Sequence, residues 1–541
     1  MEKIDLPWKS IGHLLEKAAQ VHLDNPLFIF GDERLSYVQV NRRVNSVANA
    51  LRNIGVARQD KVSVMLPSGF EYPIVWLAIA KLGAVIVPTN INYQEHDLEY
   101  ILSDSEASCM VIHADYLSLL EKVSAKTPAL KNVVVSGSTP AGYHCLEEIS
   151  GTASDQFEIK GVNENDLINI QYTSGTTGFP KGCILTHRCW MLASYIISKY
   201  LDLKPDDVDL TAQPMYYADL PWNVVLCMIG GIPLVIMPKF SVSNFWPEII
   251  KNKVTFCYML GVMPNLLLKR PPDELERTHR LRIVICSGIV PQLHAAIEKR
   301  FNCAWREAYG LTEAGMDFFV PIEDSASVGS GAVGRSINPA KVARIVDPKG
   351  NPVPDGKNGE LILKGEPMMM GYWKKPDATA GILRDGWCHT GDLAYRDEKG
   401  YLHLVGRIKE MVRRGAENIS TAEVEGVLAE HPKILLSAVV PVSDPLRGEE
   451  VKAYVVLKKG ESKETVPPQA IIEFATAKLA RFKVPRYLEY VDDLPRTPSE
   501  RVEKHKLVKA KTDPRLGCYD AEKAIWITES LLKEMQASEK T

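Results

Sequence analysis

The residues with the clearest capacity for chemistry form one glycine- and hydroxyl-rich segment, YTSGTTGFPKG, from Tyr172 to Gly182. Small side chains let backbone amides approach phosphate oxygens closely, and the hydroxyl groups add further donors. Lys181 supplies a positive charge. The spacing is not the G-x-x-x-x-G-K-[ST] of a Walker A loop. The segment therefore predicts a phosphate-binding loop of another kind, with Thr173, Ser174, Gly175, Thr176, Thr177 and Gly178 as its binding residues.

Three further motifs follow in the chain: EAYGLTEAG at 307–315, GWCHTGDLAYRDEKGYL at 386–402 and GRIKEMVRRGAENIS at 406–420. With the loop, and in this order, they resemble the adenylate-forming superfamily, which includes acyl-CoA synthetases, peptide-synthetase adenylation domains and luciferases. The resemblance covers nearly the whole chain. RRGAENISTAEVE and LPRTPSERVEKHKL are most similar to the crotonobetaine/carnitine-CoA ligase branch. The resemblance implies a carboxylic acid–CoA ligase that uses ATP and Mg²⁺, with coenzyme A as co-substrate.

The resemblance also implies roles for single residues. Lys181 would be catalytic, Thr312 would contact the α-phosphate, and Glu313 would hold the metal. Asp392 would accept hydrogen bonds from the ribose hydroxyls, and Arg407 would reach the ribose or the phosphate. Attack on the α-phosphorus is in line, so positioning and charge neutralisation supply most of the catalysis. Tyr309 would lie against the adenine, and the other implied nucleotide contacts are Ser287, Gly288, Ala308 and Gly310.

The carboxy-terminal motifs concern movement and thiol transfer. Lys409 occupies the family's hinge position, where a few residues absorb a large backbone change. Gly415 matches a glycine that lines the pantetheine tunnel, and Ala416 stands where the family often has a second glycine. These two residues are the implied coenzyme A contacts.

One terminal motif departs from the family pattern. The family usually ends with P-[RK]-T-x-[ST]-G-K, whereas this chain has Glu500 in place of the glycine and Arg501 in place of the lysine. Arginine keeps the charge but is a larger planar group, so the two are not equivalent. Three interpretations stay open: Arg501 performs the lysine's role, Lys504 or Lys506 substitutes, or adenylation is slow or lost.

The acid pocket is expected between QPMYYADLPWN (213–223), YMLGVMPN (258–265) and CSGIVPQ (286–292). Asp219 is the only charged residue in the first of these segments, and it stands among the aromatic residues Tyr216, Tyr217 and Trp222. Such an anion among aromatic side chains suits a quaternary ammonium group through charge pairing and cation–π attraction. The alternative is that Asp219 caps the helix LPWNVVLCMI, with Pro221 in its first turn, which would leave room for a bulky apolar acid. The residues predicted to form the pocket are Tyr216, Tyr217, Asp219, Trp222, Gly261, Gly288 and Met316.

The elements that position these residues follow an α/β pattern. Helical spacing of apolar residues at 9–20 and 36–54 alternates with β-rich runs beginning near 61, 84, 108, 132, 233, 254 and 282. The pattern predicts a large domain of parallel-type sheets with helices over 1–406, in which 325–406 is a small β-rich subdomain. A hinge at 407–410, a smaller mobile α+β domain at 411–515 and a tail at 516–541 complete the predicted organisation.

The overall composition favours small-molecule chemistry. The 541 residues are 45% hydrophobic and 24% charged, and the net charge of -3 gives no basic field for nucleic acid. The ten cysteines show no C-x-x-C spacing, which disfavours a disulfide scaffold. The amino terminus lacks the pattern of a signal peptide, and no apolar run is long enough to span a bilayer. A cytoplasmic enzyme without a membrane span is expected.

Two alternatives to a complete ligase also follow from the altered motifs. Glu500, Arg501 and Ala416 would suit a half-ligase that performs mainly adenylation or mainly thioester formation, with a partner enzyme or carrier protein completing the reaction. An inactive protein that binds nucleotide or acyl groups is the other alternative. A homodimer is expected only because many members of the family form one.

Overall fold

A computed structural model describes residues 3–173, 180–261, 263–408, 411–414, 417–497, 500 and 502–538. Nine residues with predicted roles lie outside the described residues: Ser174, Gly175, Thr176, Thr177, Gly178, Lys409, Gly415, Ala416 and Arg501.

Local capping signals mark the starts of the first two helices. Ser10 caps the first helix by accepting a hydrogen bond from the backbone of His13, and Ser36 forms a reciprocal capping box with Gln39 at the second. The helices are α1 Ile11–His22, α2 Tyr37–Asn53, α3 Glu71–Leu82, α4 Glu95–Ser105, α5 Leu117–Val123, α6 Leu146–Gly151, α7 His187–Leu201, α8 Asp219–Gly230, α9 Phe245–Lys251, α10 Met263–Leu268, α11 Pro291–Phe301, α12 Pro376–Ile382, α13 Thr421–Ala429, α14 Pro468–Thr476, α15 Lys504–Lys509 and α16 Glu529–Ser538.

The strands fall on the apolar runs of the sequence and on the turn-rich region that follows them. They are β1 Pro26–Phe30, β2 Glu33–Ser36, β3 Lys61–Met65, β4 Val85–Pro88, β5 Cys109–His113, β6 Asn132–Ser136, β7 His144–Cys145, β8 Leu167–Thr173, β9 Lys181–Thr186, β10 Asp209–Thr211, β11 Leu234–Ile236, β12 Phe256–Leu260, β13 Ile283–Ser287, β14 Ala304–Leu311, β15 Gly315–Phe319, β16 Ala332–Ser336, β17 Lys341–Val346, β18 Gly359–Gly365, β19 Leu383–Arg384, β20 Trp387–Arg396, β21 Leu402–Arg407, β22 Val412–Arg414, β23 Glu417–Ile419, β24 Ile434–Asp444, β25 Gly448–Leu457, β26 Tyr487–Tyr490, β27 Tyr519–Asp520 and β28 Ile525–Trp526.

One sheet of the large domain has the order β7-β6-β5-β3-β4-β8-β9. Its neighbours are parallel except β8 and β9, which form an antiparallel hairpin with Thr173 opposite Lys181. The predicted phosphate loop therefore connects the two strands of a hairpin. Strand β9 separates the loop from α7, which begins after its N-cap Thr186.

A second sheet runs in the order β17-β18-β20-β21-β16-β15-β14-β13-β12-β10-β11-β1-β2. The neighbouring pairs from β1 through β11, β10, β12 and β13 to β14 are parallel. The pairs from β14 through β15, β16, β21 and β20 to β18 are antiparallel. This change of direction brings the β-rich region predicted from residue 325 onto the edge of the α/β sheet. The mixed α/β architecture with a large first domain and a smaller second one agrees with the predicted fold class.

The most apolar stretch of the chain lies inside the large domain. Helix α3 is buried along its length, and even Lys81 is fully enclosed, with Glu16, Asn41 and Asn45 accepting hydrogen bonds from its Nζ. This explains why the stretch is apolar all round. In the part of the chain that the structure describes, none of the helices combines the length and apolar character that a bilayer crossing requires.

The smaller domain is a sheet in the order β23-β22-β25-β26-β27-β28, with β24 paired to β25. It contacts the large domain through Lys269, which follows α10: its Nζ donates to the backbone oxygens of Ile434 at 2.5 Å and of Leu435 at 2.6 Å. Burial lowers the pKa of Lys269 to about 8. The sheet also continues past the boundary predicted at residue 515, because β27 pairs with β26 and β28 pairs with β27. Cys518, Ile527 and Leu532 are buried in an apolar cluster with Val442 and Tyr487.

Candidate active site

The backbone at Lys181 is held by three neighbouring elements. The carbonyl oxygens of Pro180, Lys181 and Gly182 accept hydrogen bonds from the Tyr100 hydroxyl (2.9 Å), the Thr173 hydroxyl (3.4 Å) and the Trp373 amide (2.8 Å). At the other end of the hairpin, the Tyr172 hydroxyl donates to Asp104 Oδ2 at 2.7 Å. Helix α4 thus contacts both ends of the hairpin connection, through Tyr100 and Asp104. Lys181 is thereby held at a fixed point beside the loop.

Lys181 and Glu313 approach one tyrosine from different elements. Lys181 Nζ lies 5.2 Å from the ring centroid of Tyr372, and the Tyr372 hydroxyl donates to Glu313 Oε1 at 2.8 Å. Burial and the Glu313 carboxylate raise the pKa of Tyr372, so its hydroxyl stays a donor. The Cys183 thiol is buried beside the same carboxylate, and its pKa is also raised. The structure therefore brings together the predicted catalytic lysine and the predicted metal-binding glutamate.

A second group of predicted residues brings together side chains from β14 and from the paired strands β20 and β21. The Tyr309 hydroxyl donates to Asp392 Oδ2 at 2.6 Å, and Arg407 Nε lies 2.7 Å from Asp392 Oδ1. Arg407 also donates to the backbone oxygen of Thr390 at 3.1 Å. Asp392 stands opposite Arg407 in the strand pair, so their contact follows from the register. The site thus has a buried carboxylate ordered by a tyrosine and an arginine.

The turn after β13 is held in place by a buried acid. Glu307 accepts hydrogen bonds from the amides of Gly288 at 2.6 Å and Ile289 at 2.9 Å. Burial nonetheless raises the pKa of Glu307 to about 8, because the two amide donors offset only part of the desolvation. The Ser287 hydroxyl donates to the backbone oxygen of Ala308 at 2.6 Å. These contacts fasten the turn 287–289 to the strand that carries Tyr309.

A cavity of about 180 Å³ opens beside this strand. Its walls come from α7, α8, β12 and the β14–β15 turn, and they are mostly apolar. The lining includes the predicted residues Asp219, Trp222, Gly310, Thr312 and Met316. It also includes Leu185, Cys189, Trp190, Ala193, Ile197, Ala218, Tyr258, Leu260, Leu311, Gly315, Pro367, Met368 and Met369. Because Thr312 lies on the cavity wall, the cavity adjoins the place where the resemblance implies the α-phosphate.

Among the described residues that line this cavity, Asp219 is the only acidic one. Burial raises its pKa to about 7, although a hydrogen bond with the Trp222 side chain opposes the shift. The interpretation of Asp219 as a helix cap is wrong: the N-cap of α8 is Ala218, and Asp219 is already inside the first turn. The first turn does contain Pro221, as predicted. No lysine or arginine of the described residues forms an ion pair with Asp219.

Four of the predicted pocket residues lie elsewhere. Tyr216 and Tyr217 contact each other, with ring centroids 5.2 Å apart, and neither lines the cavity. Both residues precede α8, which begins only at Asp219. Gly261 and Gly288 also lie outside the lining, and they bring β12 and β13 together where both strands end. The Gly261 amide donates to the backbone oxygen of Ser287 at 3.1 Å.

The altered terminal motif keeps the turn that a glycine would make. Glu500 has a φ of 63°, the left-handed region in which glycine is favoured. Arg496 forms ion pairs with Glu500 and with Asp493 Oδ2, the latter at 2.8 Å. Arg496 and Val502 face each other in an antiparallel bridge. Lys504, by contrast, is bound within the smaller domain to Thr421 at 2.9 Å and Glu425 at 2.8 Å.

Several residues of the site carry no signal in the sequence. Tyr372 lies in the stretch MMGYWKK, whose spacing indicates neither a helix face nor a binding loop. Trp190 enters the cavity from the helix that follows the phosphate hairpin. Tyr258 belongs to a stretch that was expected at the pocket, but its ring could not be distinguished from an ordinary core aromatic. Only contacts between distant segments identify these residues.

Comparison with known sequences places these features in a family. The sequence model described as "AMP-binding enzyme" matches residues 15–373, and the model "AMP-binding enzyme C-terminal domain" matches residues 423–501. A crotonobetaine/carnitine–CoA ligase of Shigella flexneri is 31% identical over 492 residues, covering 87% of this chain and 92% of the relative.

Solved structures show the same architecture over the whole length. An anthranilate CoA ligase in complex with anthranoyl-AMP superposes with a TM-score of 0.88 at 26% identity, covering 94% of this chain and 99% of the other. The ATP-bound MatB of Rhodopseudomonas palustris gives a TM-score of 0.82 at 29% identity, covering 92% and 98%.

Proposed function

The chain belongs to the AMP-binding enzyme family, and we propose that its substrate is a small carboxylic acid that carries a quaternary ammonium group. The reaction is the ATP-dependent ligation of a carboxylic acid to coenzyme A through an acyl-adenylate. In the first step a carboxylate oxygen bonds to the α-phosphorus and pyrophosphate leaves. In the second step the thiol sulfur bonds to the acyl carbon and AMP leaves.

Asp219 carries the proposal. Its carboxyl group lies on the wall of a mostly apolar cavity, beside Trp222 and Tyr258, whose ring centroids are 5.6 Å apart. A buried carboxylate without a cationic partner is costly, and a bound cation would remove that cost. The faces of aromatic rings attract a quaternary ammonium group as well. A substrate with a carboxylate at one end and a fixed cation at the other matches this arrangement.

The size of the cavity also supports a small acid. Its volume of about 180 Å³ is the share of roughly six water molecules in liquid water. The relatives named crotonobetaine/carnitine–CoA ligase act, by that name, on acids of the proposed kind.

For the adenylation step we assign Glu313 to the metal and Lys181 and Arg407 to the phosphates and ribose. Mg²⁺ prefers oxygen ligands and is usually held by one or two carboxylates together with substrate phosphates. The Glu313 carboxylate offers such an oxygen, so this residue fits the ion. When bound, Mg²⁺ would neutralise charge that develops on the phosphates. Asp392, ordered by Tyr309 and Arg407, is assigned to the ribose hydroxyls.

The substrate class can be tested with a matched pair of acids. 4-(Trimethylammonio)butanoate and 5,5-dimethylhexanoate have the same shape and differ in one nuclear charge. We expect acyl-CoA formation from the purified chain with ATP, Mg²⁺ and coenzyme A, and a clear preference for the cationic acid. In Asp219→Asn, kcat/KM for the cationic acid should fall at least about 100-fold, because losing one partner of a buried charge pair costs 3–5 kcal/mol.

The neutral acid is the internal control for this variant. Its kcat/KM should stay within a few-fold in Asp219→Asn, since no charge pair is lost. Equal losses for both acids would mean that Asp219 supports the fold of the cavity, and the proposed substrate class would then be abandoned. An acyl-adenylate that accumulates without thioester would instead support the half-ligase alternative. A cytoplasmic location, a carrier-protein acceptor and a homodimer remain predictions.

A further inference from the structure

Tyr372 stands between the two residues assigned to adenylation. Its ring faces Lys181 Nζ at 5.2 Å, and its hydroxyl donates to Glu313 Oε1 at 2.8 Å. The side chain is 8% exposed, so the contacts are made away from bulk water. One side chain therefore contacts both a cation and an anion that the sequence places more than a hundred residues apart.

The backbone around Tyr372 joins the same two regions. In the bridging segment, residues 369–373, the amide of Met369 donates to the backbone oxygen of Glu313 at 2.9 Å. On the opposite side, Tyr372 forms an antiparallel bridge with Cys183, and the Trp373 amide donates to Gly182 at 2.8 Å. The segment is thus hydrogen-bonded to the strand that carries Lys181 and to the turn that carries Glu313.

The arrangement keeps two opposite charges near each other without joining them. A lysine and a glutamate in direct contact would form an ion pair, which would have to break before either could meet a phosphate or a metal ion. Among the residues that the structure describes, Lys181 forms no ion pair. The tyrosine ring attracts the ammonium group through its face, while the tyrosine hydroxyl holds one oxygen of the carboxylate. Both charges stay ordered and accessible.

We propose that Tyr372 is a positioning residue for adenylation, which holds Lys181 and Glu313 apart and in place for ATP and its metal ion. The proposal rests on the assignment of Lys181 and Glu313 made above. It predicts an effect on nucleotide and metal binding and on the first half-reaction. Transfer of the acyl group from a ready-made acyl-adenylate to coenzyme A does not involve the assigned roles of Lys181 and Glu313.

The test compares Tyr372→Phe, Tyr372→Leu and the control Tyr401→Phe. Tyr401 is a good control because its hydroxyl donates to Asp324 Oδ2 at 2.7 Å and its side chain is 7% exposed, yet it lies outside this cluster. Three quantities are measured: pyrophosphate exchange, thioester formation from supplied acyl-adenylate, and binding of Mn²⁺ with a non-hydrolysable ATP analogue by electron paramagnetic resonance.

We expect Tyr372→Phe to weaken Mn²⁺ binding about five- to tenfold and to slow pyrophosphate exchange about tenfold. Thioester formation should stay within twofold. Tyr372→Leu, which loses the ring face as well, should slow exchange further, and Tyr401→Phe should change none of the three quantities more than twofold.

Two outcomes would overturn the positioning role. One is wild-type Mn²⁺ binding and exchange in Tyr372→Phe, and the other is an equal loss of both half-reactions, as a purely structural residue would cause. Glu313→Gln is measured alongside to separate this inference from the assignment beneath it. If Glu313→Gln leaves adenylation unchanged, the assignment of Glu313 fails. If Glu313→Gln abolishes adenylation while Tyr372→Phe does not impair it, only the role of Tyr372 fails.

Discussion

The ionisation of Asp219 should control the affinity for a cationic acid. Burial raises the pKa of this carboxyl group to about 7, so in the free protein it becomes protonated as the pH falls through that value. Only the ionised form attracts a cation. We therefore expect kcat/KM for 4-(trimethylammonio)butanoate to be constant well above pH 7 and to fall about tenfold per pH unit below it. The pH profile for 5,5-dimethylhexanoate should lack this limb, as should the profile of Asp219→Asn.

Gly310 should tolerate no side chain. A Cβ atom there would lie 2.5 Å from the Cα of Met316 and 2.7 Å from the backbone oxygen of Gly315, both closer than van der Waals contact. Gly310→Ala should lower the free energy of unfolding by about 1–3 kcal/mol through overpacking, as measured by urea denaturation.

Gly381 provides the matched control for that substitution. It lies in α12, and a Cβ atom added there meets no heavy atom within 4 Å. Gly381→Ala should leave the stability unchanged or raise it slightly, because alanine has the higher helix propensity. Equal destabilisation by both substitutions would contradict the steric explanation for Gly310.

Residues in contiguous motifs were the ones that the sequence could predict. Glu313, Asp392 and Arg407 stand in such motifs, and the structure brings each of them into a charged or hydrogen-bonded cluster. Tyr372 could not be predicted, because its role depends on strand β9 and the β14–β15 turn meeting on either side of it. Tyr216 and Tyr217 were predicted on the pocket wall but do not line the cavity; they precede α8, and periodicity does not show where a loop ends and a helix begins.

At the scale of elements, helix α4 should control the geometry of the phosphate hairpin. Tyr100 and Asp104 bind its two ends, as the hydroxyl–Pro180 and Tyr172–Asp104 hydrogen bonds show. In Tyr100→Phe or Asp104→Asn, we expect the KM for ATP to rise and pyrophosphate exchange to slow about tenfold. Thioester formation from supplied acyl-adenylate should be within twofold of the wild type.

Glu99→Gln is the control on the same helix. Glu99 forms an ion pair with Lys126 at 2.9 Å, and among the described residues of the hairpin it has no hydrogen-bond or ion-pair partner. The Glu99→Gln variant should leave the rates of both half-reactions unchanged. A similar loss of exchange in Glu99→Gln would show that α4 acts through general stability and not through the two contacts.

Strands and helices with strong apolar patterns were predictable as elements. The runs beginning near 61, 84, 108 and 132 became neighbouring strands of one sheet, and those near 233, 254 and 282 belong to the other. Their pairing order was not predictable, because it depends on how helices cover both faces.

At the scale of the whole molecule, Lys269 connects the two domains. Its ammonium group donates to Ile434 and Leu435 of the smaller domain, and any rotation of that domain would break these hydrogen bonds. Lys269→Met should destabilise this arrangement by about 1–3 kcal/mol. That corresponds to roughly a 5- to 150-fold shift in the ratio of domain arrangements. Distance measurements between spin labels on the two domains would report the shift.

Lys478 gives a control within the smaller domain. It forms an ion pair with Glu430 at 2.7 Å, and this pair does not cross to the large domain. Lys478→Met should leave the distribution of distances unchanged. If Lys269→Met also leaves it unchanged, the contact does not hold the arrangement, and other interface groups such as Leu266 must do so.

The tail was the least predictable part of the whole molecule. Residues after 515 show only a weak helical pattern, yet they form β27, β28 and α16 and bury Cys518 against the smaller domain. The pattern is weak because two of these elements are strands of two residues each. Their stability comes from pairing with an existing sheet and not from their own sequence. The folded unit therefore extends past residue 501, where the family match ends.

The two indoles on the cavity wall give the protein an optical property. Trp190 and Trp222 line the cavity, and they are two of the nine tryptophans in the chain. Indole emission responds to nearby charge and to displaced water, so both would sense an incoming acid directly. Loading of the cavity should be visible as a change in intrinsic fluorescence before any nucleotide is added. The intrinsic tryptophan fluorescence of the protein would thus report binding of the carboxylic acid without an added label.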